Sequence, residues 1–139
     1  MTVAVSGGFD PIHSGHLNLL KGAKTLGDRL VVILNNDNWV RQKKNYVFMN
    51  EKERKEILEA IRYVDEVVIT SHPENPEDMS VTRELEKIQP DIFANGGDRK
   101  EDNIPEYDAC RRLGIQMIFK VGGGKTQSSS ELVKKVRGN

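Results

Sequence analysis

The sequence predicts an α/β domain: a five-stranded, mostly parallel sheet covered by helices on both faces. Three observations lead there. Short apolar runs alternate with helical patterns along the whole chain, the order that builds a parallel sheet. One run, Leu30-Val31-Val32-Ile33-Leu34, is apolar at every position, as suits a strand buried on both faces. The segments that follow the apolar runs are rich in Gly, Asn, Asp and Ser, and open α/β sheets bind ligands beyond the carboxyl ends of their strands.

Val3-Ala4-Val5 reads as the first strand. A helix is expected over 15–26, with Leu19, Leu20, Ala23 and Leu26 on one face and Gly27 as its C-terminal cap. Residues 30–34 form the second strand, and Asn35-Asn36-Asp37 is its polar exit. A short helix over 37–44 turns Trp39 and Val40 inward and Arg41, Lys43 and Lys44 outward. Asn50 caps the next helix, with Glu53 three residues on as in a capping box. Its apolar stripe is Ile57, Leu58, Ile61 and Val64. Val67-Val68-Ile69 is the third strand, 71–78 a proline-bearing loop, and 81–88 a shorter helix. Asp91-Ile92-Phe93-Ala94 is the fourth strand and runs into Asn95-Gly96-Gly97-Asp98. Pro105 and Glu106 open a helix that stops at Gly114. The last strand covers 115–121, a glycine-rich loop 122–125, and Ser128 opens a final helix with Leu132, Val133 and Val136 inward. Together these make a single Rossmann-like, three-layer α/β/α domain over 1–139. The loops at 6–16, 35–37, 95–98 and 122–130 then converge on one crevice.

The 139 residues suffice for one domain with a real core. Lys plus Arg and Asp plus Glu each number 21, so the net charge is zero. That balance argues against nucleic acid or a membrane surface as a general partner. A single cysteine, Cys110, excludes an internal disulfide framework. It reads as a half-buried helix thiol, since no histidine lies near it in sequence. The N-terminus lacks the basic-then-apolar pattern of a secretory signal. No run approaches the roughly 18 apolar residues that span a membrane, so a cytoplasmic protein is expected.

The chemistry is concentrated in Ser6-Gly7-Gly8-Phe9-Asp10-Pro11-Ile12-His13-Ser14-Gly15-His16. Gly7 and Gly8 allow a close approach of backbone that a side chain would block. His13 and His16, three apart, can turn both imidazoles to one point. His16 falls in the first turn of the helix, where free amides attract anions. A nucleotide phosphate is the simplest group for such a place. A zinc site needs three or four ligands, and His72 and Cys110 lie in unrelated segments.

The stretch Gly8 to His16 resembles the signature of the cytidylyltransferase-like nucleotidyltransferases, whose core is His-x-Gly-His. The resemblance extends over nearly the whole chain. Leu26-Gly27-Asp28-Arg29-Leu30-Val31-Val32 is similar to the family's helix-to-strand passage. Glu53-Arg54 with Ile57-Leu58, then Val64-Asp65-Glu66-Val67-Val68, is similar to its middle segment. Gly96-Gly97-Asp98 stands where the family carries a Gly-Gly-Asp or Gly-Asp-Asp turn, and Ser128-Ser129-Ser130 where it starts a helix with Ser-Thr-Thr or Ser-Ser-Ser. Within the family the pattern is similar to glycerol-3-phosphate cytidylyltransferases and to the adenylyltransferase domain of ADP-heptose synthesis.

The resemblance implies a reaction and a set of roles. A substrate phosphate attacks the α-phosphorus of a nucleoside triphosphate and pyrophosphate leaves, with no covalent enzyme intermediate. His13 and His16 donate hydrogen bonds to the triphosphate as charge builds, each donor worth ~2.7–4 kcal/mol in the transition state. Lys43 and Lys44 stand where relatives place a catalytic, phosphate-binding lysine; they read equally as a solvated basic turn. The nucleotide is bound by Gly7, Gly8, Phe9, Asp10 and Gly15, and by Arg54, Gly96, Gly97, Asp98, Lys125, Ser128, Ser129 and Ser130. Arg54 can instead pair with Glu51 or Asp65. Asn36 and Asp37 face the second substrate, though Asp37 and Asp98 can also cap the helices after them. Ser128-x-x-Glu131 is itself a capping box, which is compatible with phosphate contact by the other hydroxyls. Gly122-Gly123-Gly124-Lys125-Thr126 is not a Walker A loop, because position 119, where that pattern needs Gly, is Phe119. Magnesium is expected to accompany the triphosphate, with no dedicated carboxylate cluster to hold it.

The expected function is therefore transfer of a nucleoside monophosphate from CTP or ATP to a small phosphorylated polyol, sugar or alcohol. The alternatives are an adenylyltransferase for a cofactor precursor (a pantetheine, nicotinamide or flavin nucleotide) and a non-catalytic nucleotide-binding module. The intact His13 and His16 argue against the last. Phe9, Trp39, Tyr46 and Phe48 are equally candidates for the second substrate's pocket and for the core. The resemblance also implies a homodimer.

Overall fold

The computed structural model describes residues 1–97 and 104–123. Its elements are β1 (Thr2–Gly7), α1 (Ser14–Lys24), β2 (Arg29–Leu34), α2 (Asp37–Lys44), α3 (Glu51–Glu59), β3 (Glu66–Ile69), α4 (Thr82–Ile88), β4 (Ile92–Gly96), α5 (Tyr107–Leu113) and β5 (Gln116–Val121). The strands form one sheet in the order β3-β2-β1-β4-β5. Every pairing is parallel. β1 sits in the middle, so the loop that leaves it emerges at the centre of the carboxyl edge.

Alternation along the strands sorts the core into two layers. Val3, Val5, Leu30, Val32, Leu34, Ile92 and Ala94 face one way and pack with Leu20 and Ala23 of α1 and Leu58 of α3. Ala4, Ile33 and Phe93 face the other way and pack with Leu85 of α4 and Cys110 of α5. The apolar run of β2 is thus shared between both layers, which is why it shows no polar position. Cys110 lies wholly inside this second layer rather than at its margin.

Most helix ends follow the sequence reading. Asn50 Oδ1 accepts from Glu53 N at 2.9 Å and starts α3. Gly114, at φ 73°, ends α5. Gly27 departs from it. α1 closes at Thr25 in a right-handed conformation, and Gly27 is glycine for space: a Cβ there would lie 2.5 Å from Met1 O and 2.8 Å from Val3 Cγ2. β4 and β5 slip register between Ala94 and Gly96, which face Ile118 and Val121. The extra residue is therefore on β5, where Lys120 has φ 58°. No helix among the described residues is long and apolar enough to cross a membrane.

Candidate active site

The loop after β1 is closed by the two histidines themselves. His13, in extended conformation, is the N-cap of α1. Its Nδ1 accepts from Gly15 N at 3.1 Å, and His16 Nδ1 accepts from His13 N at 3.1 Å. The rings stack with centroids 3.8 Å apart and planes 25° from parallel. Spacing alone placed both imidazoles at one point; the reciprocal cap fixes how they face. Because each Nδ1 accepts from a backbone N–H, a neutral ring must carry its hydrogen on Nε2. Both imidazoles are set as Nε2–H donors at the positive end of a helix.

Phe9 supports them from below. Its ring meets that of His16 edge-on at 4.8 Å, and it is buried in the core beneath the loop. Phe9, expected at the nucleotide, turns its ring into the core instead. Its φ of 50° is a left-handed conformation costing a non-glycine residue about 1–3 kcal/mol. A Cβ at Gly7 would stand 3.1 Å from the Phe9 ring, so Gly7 is needed for that packing. Gly15, also expected at the nucleotide, has its N–H engaged by His13.

Arg54, Asp10 and Asn36 hold the frame instead of facing a ligand. Arg54 is 1% exposed. Its Nε donates to Met49 O at 2.8 Å. Its Nη1 donates to Gly8 O and Asn35 O, both at 2.7 Å, and its Nη2 to Asp37 Oδ1 at 2.7 Å. It is therefore neither a phosphate ligand nor a partner of Glu51 or Asp65; a buried guanidinium needs its donors satisfied, and three loops and one carboxylate do so. Asp10 is 0% exposed, and its carboxylate accepts from Phe48 N at 2.7 Å and Met49 N at 2.6 Å. The Asp10 carboxylate therefore positions the loop. Asn36, not Asp37, caps α2, accepting from Trp39 N at 3.0 Å. Its Nδ2 donates to His72 O at 2.9 Å, so both ends of the amide hold the frame. Asp37 is the first residue of α2, held by Arg54 and by its own N–H to Glu51 Oε1 at 2.9 Å.

Of the two lysines, Lys44 reaches the histidine loop, its Nζ donating to Asp10 O at 3.3 Å. Lys43 is exposed on α2. A Cβ at Gly8 would meet Trp39 at 3.5 Å, and Trp39 is pinned by Nε1 donating to Met79 O at 2.8 Å. Gly96 ends β4 against Leu19, where a Cβ would approach to 3.3 Å, and Gly97 follows at φ 52°. Asp98, Lys125, Ser128, Ser129 and Ser130 lie outside the described residues. Thr70 and Ser80 escaped the sequence reading, and His72 entered it only as a residue set aside for zinc: Thr70 Oγ1 accepts from Asn36 N at 3.0 Å, and the His72 ring bridges Thr70 Oγ1 and Ser80 O at 2.7 and 2.9 Å. The signal was there in polar residues directly after an apolar strand, but nothing local tied them to 36.

Residues 4–123 match the family described as Cytidylyltransferase-like. The chain belongs to that family. The cytidylyltransferase-like fold is shared with the lipopolysaccharide core biosynthesis protein from Thermoplasma volcanium, at TM-score 0.70 and 28% identity over 86% of this chain and 93% of that one. FAD synthase of Pyrococcus horikoshii is 44% identical over 96% of this chain and 93% of its own length. Ethanolamine-phosphate cytidylyltransferase of Dictyostelium discoideum is 34% identical over 99% of this chain, which spans 38% of that protein. As a cytidylyltransferase-like enzyme the protein is a nucleotidyltransferase.

Proposed function

We infer that this nucleotidyltransferase transfers AMP from ATP to the phosphate of flavin mononucleotide, forming FAD and releasing pyrophosphate. The observation that carries this reading is the 44% identity to an FAD synthase across 93% of that enzyme's length. It favours a cofactor-precursor substrate over the phosphorylated polyol that the sequence alone suggested.

In this reading a phosphate oxygen of the flavin nucleotide attacks the α-phosphorus of ATP. The new P–O bond forms as the bond to the β-phosphate oxygen breaks, and pyrophosphate carries that electron pair away. His13 and His16 donate from Nε2 to the triphosphate, and Lys44 adds a cation beside the loop. Lys125, Ser128, Ser129, Ser130 and Asp98 keep the phosphate and nucleotide contacts that the family resemblance implies. Magnesium travels with the triphosphate. Among the described residues no group of three or more His, Cys, Asp or Glu could hold a metal ion. Asp10 and Asp37 are engaged by backbone amides and by Arg54, so phosphate oxygens are the ion's natural ligands here.

A second reading, CTP with a phosphorylated alcohol, is supported by the match to ethanolamine-phosphate cytidylyltransferase over 99% of the chain. Pyrophosphate release, measured for ATP and CTP against flavin mononucleotide, phosphoethanolamine, glycerol 3-phosphate and a sugar phosphate, separates the two. Release with ATP and flavin mononucleotide is expected. Release only with CTP and a phosphorylated alcohol would overturn the flavin reading in favour of the second.

A further inference from the structure

Among the described residues, two buried side-chain oxygens have no hydrogen-bond partner: Asn35 Oδ1 and Asn95 Oδ1. Asn35 is 3% exposed and Asn95 2%. Buried polar atoms in folded proteins are almost always paired, so each orphan needs an explanation. Two together, at the edge that carries the catalytic loop, share one.

Their positions are related by the sheet. Asn35 directly follows β2, and its N–H donates to Gly7 O at 2.9 Å, extending the ladder to the end of β1. Asn95 is the penultimate residue of β4. β2 and β4 are the two neighbours of β1, so the asparagines flank the strand that leads into the histidine loop. Alternation puts them on one face. Asn35 lies two residues on from Ile33 and Asn95 two on from Phe93, and both of those belong to the layer with Ala4, Val81 and Leu85. Ser6, two on from Ala4, stands between them. The three form a polar ledge on an apolar wall; Ser6 is level with Ile33, so Asn35 lies two strand spacings across and two residues along from Asn95, about 12 Å in all.

At Asn95 a side-chain bond fixes the amide, and at Asn35 the backbone is fixed. Asn95 Nδ2 donates to Phe93 O at 3.2 Å, which leaves Oδ1 as the unpaired atom. The backbone of Asn35 is held on both sides, its C=O by Arg54 and its N–H by Gly7. Helix α1, which the histidines cap, packs on the opposite face through Leu20 and Ala23. In-line displacement needs the nucleophile and the leaving pyrophosphate on opposite sides of the reacting phosphorus. With the triphosphate over the α1 side, the attacking substrate comes from the ledge side.

We propose that Asn35 and Asn95 bind the non-phosphate part of the attacking substrate, each oxygen accepting from an N–H or O–H of that molecule. The assignment rests on the nucleotidyl-transfer reading and names what the site selects: a phosphorylated co-substrate carrying hydrogen-bond donors about 12 Å apart. Flavin mononucleotide carries such donors in its imide N–H and its ribityl hydroxyls. A co-substrate lacking them leaves both oxygens unpaired and is rejected.

The test uses Asn95→Leu and Asn35→Leu, each with the same branching at Cγ and without the amide. KM for each substrate is measured by pyrophosphate release with the pair the wild type accepts, alongside the thermal midpoint. KM for the co-substrate should rise about tenfold in either variant, the worth of one hydrogen bond, while KM for ATP stays within about twofold. The Asn35→Leu midpoint should hold or rise, because an unpaired buried oxygen has been removed, whereas Asn95→Leu also gives up the Nδ2 bond to Phe93 O and should fall by no more than the worth of that one bond. If the wild type uses flavin mononucleotide, its N3-methyl analogue should lose a similar factor against the wild type and nothing further against the variant that removes its partner. A KM rise on the ATP side overturns the assignment, as does an unchanged co-substrate KM with a lowered midpoint, the mark of a structural asparagine. Use of another phosphorylated co-substrate in place of flavin mononucleotide defeats the flavin reading, and the same variants then test the ledge with that molecule. If the wild type turns over no pair, the midpoints decide: a fall in both overturns the ledge.

Discussion

Arg54 Nη2 donates to Asp37 Oδ1 at 2.7 Å while the rest of the guanidinium holds the carbonyls of Gly8, Asn35 and Met49. One buried cation thereby ties the histidine loop, the exit of β2, the start of α2 and the entry to α3. Removing one partner of a buried pair costs about 3–5 kcal/mol. Arg54→Ala is expected to lose that much in urea denaturation and to lower turnover with it. Arg54→Lys should recover only part, because an ammonium lacks the planar fork that meets four acceptors. Stability within about 1 kcal/mol of wild type in Arg54→Ala would show that the pair does not hold the frame.

The reciprocal cap between His13 and His16 makes a spectroscopic prediction. In the neutral protein both rings should show the Nε2–H tautomer by ¹⁵N NMR of the imidazoles. His16→Ala should lose about a hundredfold or more in turnover, the worth of one transition-state donor, against about 1 kcal/mol of stability for a weakened cap. Near-normal turnover in a folded His16→Ala sinks the catalytic role.

Lys44 and Lys43 should separate. Lys44→Ala is expected to weaken kcat/KM about 10- to 100-fold, as for loss of one hydrogen bond from a charged donor. Lys43→Ala, on the exposed face, should stay within about twofold by the same measure. The reverse order in steady-state kinetics would place the phosphate contact on Lys43.

Asp65 gives an acid limb to stability. Its carboxylate accepts from Lys24 Nζ at 2.6 Å and from Leu30 N at 2.7 Å. These bonds, Lys24 first, hold it below the ordinary 3.8. A carboxyl lowered on folding contributes stability that is fully present above its unfolded value and is lost as pH falls through its folded one. Asp65→Asn should therefore be less stable than wild type near neutrality. The gap should close as pH falls below 3.8, followed by urea denaturation across the range. A gap that persists unchanged in acid would assign the loss to geometry rather than charge.

Cys110 is predicted to be inert. Burial first, and then the nearby Glu106 carboxylate, push its thiol up to about 11. A thiol reagent at pH 8 should label it only as the protein unfolds, since thiolate and not thiol reacts. Prompt stoichiometric labelling of the native protein would contradict its burial.

The element order was legible because each strand and helix is written locally. Val3-Ala4-Val5, the unbroken run of β2 and the stripe around Leu58 follow the 2.0 and 3.6 periods directly. The histidine loop was legible as well, since glycines, a helix start and two imidazoles at one spacing are all close in sequence. Arg54, Asp10 and Asn36 were misread for a common reason. Each is polar and adjacent to the site, and polar residues near a site suggest ligand contact. Yet Asp10 meets amides 38 and 39 residues away, and Arg54 reaches back 46 residues to Gly8.

By itself, then, the sequence determined the α/β architecture, the strand that feeds the histidine loop, and the pair of histidines at a helix start; that this strand is the central one came from the sheet order. Hydrophobic burial and backbone periodicity decide those features, and both act through composition and spacing. Only the tertiary structure decided which polar side chains face the crevice and which hold it open. Hydrogen bonds are short and directional, so the role of Arg54, Asp10, Asn35 or Asn95 depends on which distant backbone atoms the fold brings within about 3 Å.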